Sequence, residues 1–428
     1  MRKSIVLIVV IFIFFIKFVA AAGTETKIIR VGLVLEQPVL QLTVNPTDQL
    51  FDFNGNVEKP IANSESLLVF TVVDGMINMG TQPISKGPIR VKPTEQLLNW
   101  NSRSYRGEFA ITISNGKLNL INILPIEDYL RAVVPKEVIP DWPMASLKAQ
   151  AIAARTYTIA SLNRHGKDID LCSTTHCQVY GSASAETSTT DRAVMETAGQ
   201  IMVYNGKIIT ALYHSSSGGF TEEPTNIWGF ASPYLKPVLD WDQNSPHSQW
   251  LRSVDWKELQ GMTARLYPKI GRLKQIFPES LAENGKIIKI TLKGDLGEQV
   301  ITGENFRNLA NLPSSNIQLG LIYGPEPFIT LWWSQNSLIP TAIISNTQIP
   351  ALAGEVINPP WDQPDPWSWL QDKEIIRVLI KGSGLGHRVG LSQWGAKGMA
   401  EAGFNERQIL EHYFPGISII DYHDLKLK

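Results

Sequence analysis

The chain has 428 residues, with 39 lysines and arginines, 40 aspartates and glutamates, and a hydrophobic fraction of 43%. This length and hydrophobic fraction are sufficient for two or three structural units with packed cores. The near balance of charge, without a clustered excess of basic residues, excludes the electrostatic footprint of a nucleic-acid-binding protein.

Residues 1–22 have the pattern of an export signal. A basic pair is followed by an apolar stretch over residues 4–16 and by three alanines at residues 20–22. We predict a cleaved signal peptide, which would send the protein to the cell envelope, the periplasm or the extracellular space. The alternative is an uncleaved N-terminal membrane anchor in which Lys17 snorkels to the interface.

The fold class predicted from the chain is α+β. Residues 25–120 alternate apolar and polar residues, as in IIRVGLVL and GEFAITISNGKLNLIN, and predict a β-rich N-terminal region. Residues 126–163 have a helical pattern. Asn205-Gly206 predicts a type I′ hairpin turn, because both residues tolerate a positive φ.

Residues 256–324 alternate helix and strand patterns and predict a small α+β subdomain. Residues 325–374 are rich in proline and tryptophan, and we interpret them as an insertion or surface strap. Beyond them, Ser392 is expected to cap a short helix, and Asn405 a second one that stops before Pro415.

Glu137 lies in the most informative segment of the chain, VPKEVIPDWPMASLKAQAIAARTY. Pro135 and Pro140 stiffen the backbone around it, and Asp141 is a candidate N-cap for a central helix from about Met144 to Asn163. A carboxylate on a stiff turn before a helix suits a catalytic acid.

Arg155 is predicted to share a helix face with Lys148 and to point toward the turn that holds Glu137. The alternative is that Glu137 favours a helix N-terminus and that Arg155 is a solvated surface charge. Glu127 and Asp128 are interpreted as partners of the helix dipole at an earlier helix start.

The two cysteines lie in the motif CSTTHC. The spacing of His165, Cys172, His176 and Cys177 is compatible with a tetrahedral zinc site of two imidazoles and two thiolates. Such a zinc would be structural, because protein ligands would fill all four positions. The alternative in an exported chain is a Cys172–Cys177 disulfide.

Five segments carry a family resemblance. They are, in order, LPIEDYLRAVVPKEVIPDWPMASLKAQAIAARTYTIA, CSTTHCQVYGSASAE, ALYHSSSGGFTEE, YLKPV and GHRVGLSQWGAKGMAEAG. Together they resemble the family of stage II sporulation protein D and the LytB amidase enhancers, over roughly residues 30–325 and 375–420. The resemblance implies a core that comprises residues 121–255 and 375–428. It also marks residues 325–374, Leu385 and Arg388 as positions where this chain departs from the usual sequence of the family.

The resemblance implies that Glu137 is the single acid/base of a lytic transglycosylase in cell-wall remodelling. Such an enzyme cleaves peptidoglycan glycan strands and leaves 1,6-anhydro-muramyl ends, without a cofactor in catalysis. Ordinary glycosidases need two carboxylates. The alternative is a non-catalytic amidase enhancer, which would have a cell-wall amidase as a further partner, and a third alternative is an envelope scaffold.

The resemblance also implies a set of substrate contacts. The implied contacts from charged and aromatic residues are Arg155, Tyr234, Lys236 and Tyr413. Two glycine-rich loops, HSSSGG and GHRVGLSQWG, add the candidates Ser215, Ser216, His387, Ser392 and Gln393. Simple turn chemistry is the alternative for each hydroxyl, and neither loop contains the G-x-S-x-G motif of a serine hydrolase. For the cysteine segment, the resemblance implies a structural zinc in some members.

Overall fold

The computed structural model of the protein describes residues 26–45, 47–54, 57–61, 66–282, 286–333, 337–345, 355–357, 370 and 372–425. The predicted signal peptide or anchor at residues 1–22 lies outside the described residues, as does much of the predicted insertion at residues 325–374. None of the helices in the described ranges combines the length and the apolar character that crossing a membrane requires. The predicted α+β class is confirmed.

In the described residues, twelve strands precede the helix α1 (Ile126–Glu137). They are β1 (Ile28–Gln37), β2 (Val39–Thr43), β3 (Gln49–Asn54), β4 (Val57–Ile61), β5 (Leu67–Val73), β6 (Met76–Met79), β7 (Gln82–Ser85), β8 (Ile89–Lys92), β9 (Leu98–Trp100), β10 (Arg103–Tyr105), β11 (Glu108–Ser114) and β12 (Lys117–Pro125). The predicted β-rich character of this region therefore extends over its whole described length.

The central part of the chain contains the two longest helices of the described residues, α1 and α2 (Met144–Ala160). It also contains β13 (Leu171–Cys172), α3 (Ser188–Glu196), β14 (Gln200–Tyr204), β15 (Lys207–Ile208), β16 (Tyr213–His214) and α4 (Pro224–Trp228). Asn205 and Gly206 have φ angles of 48° and 72°, so the type I′ hairpin turn between β14 and β15 is confirmed.

The remaining elements form the subdomain and the C-terminal part. They are β17 (Trp250–Asp255), α5 (Trp256–Leu266), β18 (Leu273–Leu281), β19 (Ile287–Gly294), β20 (Glu298–Thr302), α6 (Gly303–Leu309), β21 (Ile317–Gly324), β22 (Phe328–Trp333), β23 (Thr341–Ser345), β24 (Glu355–Ile357), β25 (Glu374–Gly382), β26 (Leu391–Ser392), α7 (Gln393–Glu401), α8 (Glu406–Tyr413) and β27 (Ser418–Asp421). Ser392 and Asn405 cap α7 and α8 through their side chains, as predicted.

The described strands form six sheets. The N-terminal region contributes a seven-stranded sheet in the order β13-β1-β12-β11-β8-β3-β4 and a six-stranded sheet in the order β10-β9-β2-β5-β6-β7. The subdomain is built on the sheets β17-β25-β21-β22-β23-β24 and β18-β19-β20. The strands β22, β23 and β24 come from the predicted insertion, so part of this segment extends the subdomain sheet.

A non-helical segment between α1 and α2 positions Glu137. Ile139 and Trp142 each precede a proline, and a residue before proline disfavours the α conformation, so the helix cannot resume before Met144. Glu137 is therefore the last residue of α1 rather than part of a turn before α2. The predicted cap is wrong, since α2 starts after Pro143 and no side chain caps it.

The helix α2 joins the two cores of the central part. Of its 17 residues, 13 are buried, because its many alanines allow α1, α3, α7, α8 and β14 to pack closely around it. One face contributes Leu147 and Ala151 to the core of the N-terminal sheets. Another face contributes Ala149 and Ile152 to the core with α7 and α8. The subdomain has its own core.

Candidate active site

Glu137 lies in a cleft of about 590 Å³ that is formed by distant parts of the chain. One wall is the loop from Thr175 to Val179, which follows β13. The opposite side consists of residues at β16, at the end of α4 and at the start of α7. The parallel pairing of β16 with β26 places Tyr213 beside Leu391, and this brings Gln393 to the cleft.

The carboxyl group of Glu137 is half-buried and hydrogen-bonded. The backbone N–H of Val179 donates to its Oε1 over 2.8 Å, and the side chains of Tyr213 and Gln393 also hydrogen-bond to it. Burial raises the pKa of Glu137, and these three hydrogen bonds offset the rise only in part. The group is thus shifted toward its protonated form, as a general acid requires.

Gln178 orients the hydroxyl of Tyr213 toward this carboxyl. Its amide nitrogen donates to Tyr213 Oη over 3.0 Å, while its Oε1 accepts hydrogen bonds from Tyr129 and Thr158. Since these contacts fix the amide, Tyr213 Oη accepts from Gln178 and keeps its own proton for Glu137. Burial raises the pKa of Tyr213 well above its usual range, so the phenol stays neutral.

Two histidines line the cleft, the buried His214 and the partly buried His387. His214 Nδ1 is 3.2 Å from the carbonyl oxygen of Val389, and His387 Nδ1 accepts from the Val389 N–H over 3.1 Å. Burial lowers the pKa of each imidazole to about 3, so both are neutral at ordinary pH. They contribute packing and fixed hydrogen bonds rather than charge.

A serine–histidine hydrolase is not supported by this arrangement. The hydroxyl of Ser216 donates to Asp242 over 2.5 Å, and the hydroxyl of Ser392 accepts from the N–H of Gly395. Both serines are fully buried. The hydroxyl groups that could act as nucleophiles therefore have structural partners, and Ser215 is the candidate serine that lines the cleft.

The structure brings together only some of the predicted substrate contacts. Besides Glu137, the residues Ser215, His387 and Gln393 line the cleft. The sequence interpretation missed Tyr213 and Gln178. Neither had a signal in the chain, because a lone tyrosine is most often a packing residue and a lone glutamine is most often solvent-exposed.

Arg155 differs most from its prediction. It neither points toward Glu137 nor lies in solvent, since its side chain is 0% exposed and forms a bidentate pair with Glu127 at 2.8 and 2.6 Å. It also donates to the carbonyl oxygens of Val194 and Gln200. Glu127 is therefore an ion-pair partner of α2 as well as a first-turn acid of α1.

The other three implied contacts also lie away from the lining of the cleft. Tyr413 is buried, and its hydroxyl donates to Asp240 over 2.5 Å. Tyr234 Oη accepts from the N–H of Thr210 over 3.1 Å. Lys236 is half-exposed and pairs with a surface glutamate over 3.1 Å. In this structure these three side chains support the framework around the cleft.

The four candidate metal ligands come together beside the cleft. The ligand atoms of His165, Cys172, His176 and Cys177 all lie within 4.8 Å of one another. His165 Nε2 is 3.2 Å from Cys177 Sγ, and His176 Nδ1 is 3.7 Å from Cys172 Sγ. Zinc bonds of about 2.0–2.3 Å in a tetrahedron place ligand atoms roughly 3.3–3.8 Å apart, so the four residues fit a zinc ion.

The chemistry of the cysteines also fits a metal. Both are free thiols in the structure. Although burial raises it, hydrogen bonds from Thr174, Cys177 and His176 lower the pKa of Cys172 to about 6, which favours the thiolate that zinc binds. Burial and the neighbouring Cys172 raise the pKa of Cys177 to about 11, so that without a cation the pair holds one thiolate and one thiol. His176 and Cys177 line the cleft, and Val179, two residues on, donates to Glu137. The candidate metal ligands His176 and Cys177 therefore lie in the same loop as the backbone N–H that hydrogen-bonds to the carboxyl group.

Comparisons with known proteins find similarity over the part of the chain that contains this site. The family model described as stage II sporulation protein matches residues 114–204, which include Glu137 and all four candidate metal ligands. An uncharacterised protein of Brachyspira hyodysenteriae is 28% identical over 407 residues, a match that covers 94% of this chain and 95% of the relative.

Two relatives have descriptive names. The amidase enhancer of Bacillus subtilis is 27% identical over 413 residues, and the match covers 89% of this chain but only 55% of that protein. Stage II sporulation protein D of Bacillus amyloliquefaciens is 28% identical over 322 residues, with 69% of this chain and 74% of that protein covered. The chain is therefore similar to stage II sporulation protein D and to an amidase enhancer, the two kinds of protein that the resemblance names.

Proposed function

We propose that this protein is a peptidoglycan lytic transglycosylase in which Glu137 is the single general acid and base. The observation that carries the proposal is the half-buried carboxyl group of Glu137, with its raised pKa and three hydrogen bonds, in a cleft. The match to stage II sporulation proteins and to an amidase enhancer supports glycan strands of the cell wall as the substrate.

The reaction proceeds with one carboxyl group acting twice. Glu137 donates its proton to the glycosidic oxygen, and the bond from that oxygen to the muramic-acid C1 breaks with its electron pair on the oxygen. The 6-hydroxyl of the same sugar then forms a bond to C1 and gives its proton to the Glu137 carboxylate. The product is a 1,6-anhydro end, the acid is regenerated, and no water is consumed.

The composition of the cleft supports this route over hydrolysis. Among the described residues that line it, Glu137 is the single carboxylate. Glycosidases that hydrolyse their substrate by the usual routes need a second carboxylate as nucleophile or base, about 5–10 Å from the first. Tyr213 and Gln393 hydrogen-bond to the charged form of Glu137 and so stabilise the carboxylate that forms after the first proton transfer.

We also propose that His165, Cys172, His176 and Cys177 hold a structural zinc ion. Its chemistry would be that of a cross-link, since two thiolates and two imidazoles would complete a tetrahedron. The part played by the chain is to connect this cross-link to Glu137 through the N–H of Val179. Catalysis itself needs no cofactor in this proposal.

A second candidate function is non-catalytic binding of the wall with stimulation of an amidase. It is favoured by the match to an amidase enhancer over 89% of this chain. In either case we propose that the protein acts on peptidoglycan outside the cytoplasm, sent there by residues 1–22. The two candidates differ in whether the glycan strand is cut.

The test is mass spectrometry of peptidoglycan after incubation with the protein, with both intact and amidase-stripped glycan as substrates. The expected result is anhydro-muramyl products from the wild type and a loss of at least about a hundredfold in Glu137→Gln. Glu401→Gln, an exposed glutamate of α7, is the matched control and should leave the products unchanged.

Two outcomes would count against the transglycosylase. If the wild type binds glycan without producing anhydro ends, and accelerates an added wall amidase, the second candidate is correct. If Glu137→Gln releases the same products as the wild type, another residue carries the reaction.

A further inference from the structure

Trp228 and Phe230 are large aromatic side chains that remain exposed in the cleft that holds Glu137. Their rings are nearly parallel, with an interplanar angle of 11° and centroids 6.0 Å apart. Trp228 is 45% exposed and Phe230 is 46% exposed. Two such stacked rings present an exposed apolar surface of a kind that proteins usually cover, either with their own core or with a ligand.

The backbone holds these two rings in place. Trp228 ends α4, and Gly229 follows with a φ of 81°, a conformation that suits glycine. The N–H of Gly229 donates to the carbonyl oxygens of Pro224 and Thr225, and the Thr225 hydroxyl donates to the carbonyl oxygen of Phe230. The turn between the rings is therefore closed by hydrogen bonds.

The ring of His387 packs against the ring of Trp228. The two ring centroids are 5.1 Å apart, and the rings are tilted by 59°. His387 is itself fixed, since its Nδ1 accepts from the N–H of Val389. Because the rings of Trp228 and Phe230 already have these contacts without a ligand, a ligand that stacks on them would lose little affinity to the entropic cost of immobilising them.

The surroundings indicate what would stack there. A flat aromatic surface beside the hydrogen-bonding side chains of Ser215 and Gln393 suits a ring with one apolar face and a polar rim. A pyranose has this character, since its C–H groups form the face and its hydroxyl and acetamido groups form the rim. In the same cleft, Glu137 would act on the bond between two such rings.

We propose that Trp228 and Phe230 form a sugar-binding subsite on which a pyranose of the glycan strand stacks while a neighbouring glycosidic bond lies at Glu137. The proposal rests on the proposed function and adds to it the residues that hold the strand beside the scissile bond.

The experiment measures the affinity for amidase-stripped glycan by isothermal titration calorimetry, in a Glu137→Gln background so that the ligand stays intact. Trp228→Ala is expected to weaken binding roughly tenfold, since an aromatic contact of this size is worth about that factor. Trp228→Phe should retain part of the affinity. Phe230→Leu, which keeps apolar volume but removes the flat ring, should also weaken binding.

Trp241→Ala is the matched control, because Trp241 is a 37% exposed tryptophan that packs on Phe404 rather than lining the cleft. It should leave the affinity unchanged. Thermal denaturation of every variant checks the fold, and Trp228→Phe and Phe230→Leu keep the test decisive if Trp228→Ala is unstable.

The failures of the two proposals can be distinguished. If the Glu137→Gln protein binds glycan and the Trp228 and Phe230 variants bind it equally well, the subsite is refuted and the transglycosylase stands. If the parent protein neither binds nor cleaves glycan, the proposed function fails and the subsite fails with it.

Discussion

Replacing Glu127 with glutamine is expected to destabilise the protein and to leave the cleft unchanged. The substitution removes the anionic partner of Arg155, whose guanidinium is fully buried. A buried cation that loses its partner typically costs about 3–5 kcal/mol of stability. The substitution weakens the contact between α1 and α2. It also affects the hydrogen bond that Glu127 accepts from the N–H of Gly199, just before β14.

The geometry favours the lower end of that range. Glu127 is 28% exposed, so part of the pair is already hydrated, and Arg155 keeps the carbonyl oxygens of Val194 and Gln200 as acceptors. We therefore expect a loss of about 3 kcal/mol. At roughly 2–4 °C per kcal/mol for a domain of this size, Tm should fall by about 6–12 °C.

The assay is thermal unfolding followed by circular dichroism, combined with glycan binding. Adding Arg155→Met to Glu127→Gln should recover much of the lost stability, because it removes the buried cation that the first substitution leaves without an anionic partner. Glycan affinity should be the same in all of these variants. A single Arg155→Met variant that keeps the wild-type Tm but loses glycan binding would refute this reasoning, and Arg155 would then be a substrate contact.

Two further predictions concern the carboxyl group and the cysteine loop. Tyr213→Phe removes a hydrogen bond that lowers the pKa of Glu137, so the pKa of Glu137 should rise. Because the general acid must be protonated, the fall of kcat/KM at high pH should then occur at a higher pH than in the wild type. A pH–rate profile in which this fall stays at the same pH or moves to lower pH would contradict the contact between Tyr213 and Glu137. Metal analysis should find one zinc per chain in the wild type and none in Cys172→Ser, with a lower Tm and lower activity. Metal-free wild-type protein without titratable thiols would instead indicate the Cys172–Cys177 disulfide.

Local features of the fold could be predicted from the sequence because they depend on local chemistry. The turn at Asn205-Gly206 needs two positive φ angles, and Ser392 needs only a free amide three residues on. Glu137 stood out for a similar reason, since the prolines around it restrict the backbone. Even so, the end of α1 was misplaced, because a proline in the last turn of a helix is compatible with the helix continuing to Glu137.

The partners of the charged residues could not be predicted, because they come from distant segments. Arg155 meets a glutamate 28 positions earlier, on a different helix. Tyr213 faces Glu137 only because β16 pairs with β26, which lies almost 180 residues further along the chain. A helical face shows which side chains lie together, but the packing of α2 on all sides decides whether that face meets solvent or another helix.

The subdomain is coupled to the cleft by buried charges. Glu222, in the loop that leads to α4, accepts from Lys286 over 2.5 Å and lies 3.5 Å from Arg388. Lys286 immediately precedes β19 of the subdomain, and Arg388 also donates to the carbonyl oxygens of Ser217 and Phe220. All three charged side chains are at most 8% exposed.

This network of Glu222, Lys286 and Arg388 explains structurally why an arginine stands at position 388. Arg388, which the resemblance marks as a departure, lies between Glu222 and the carbonyl oxygens of Ser217 and Phe220, with a φ of 68°. Glu222 also accepts from the side chain of Asn226 in α4, the helix that ends at Trp228. The carboxylate of Glu222 therefore links Lys286 of the subdomain to α4, the helix that ends at the cleft residue Trp228. Because a buried charge tolerates loss of its partner poorly, the subdomain is part of the framework of the site and not an appended module.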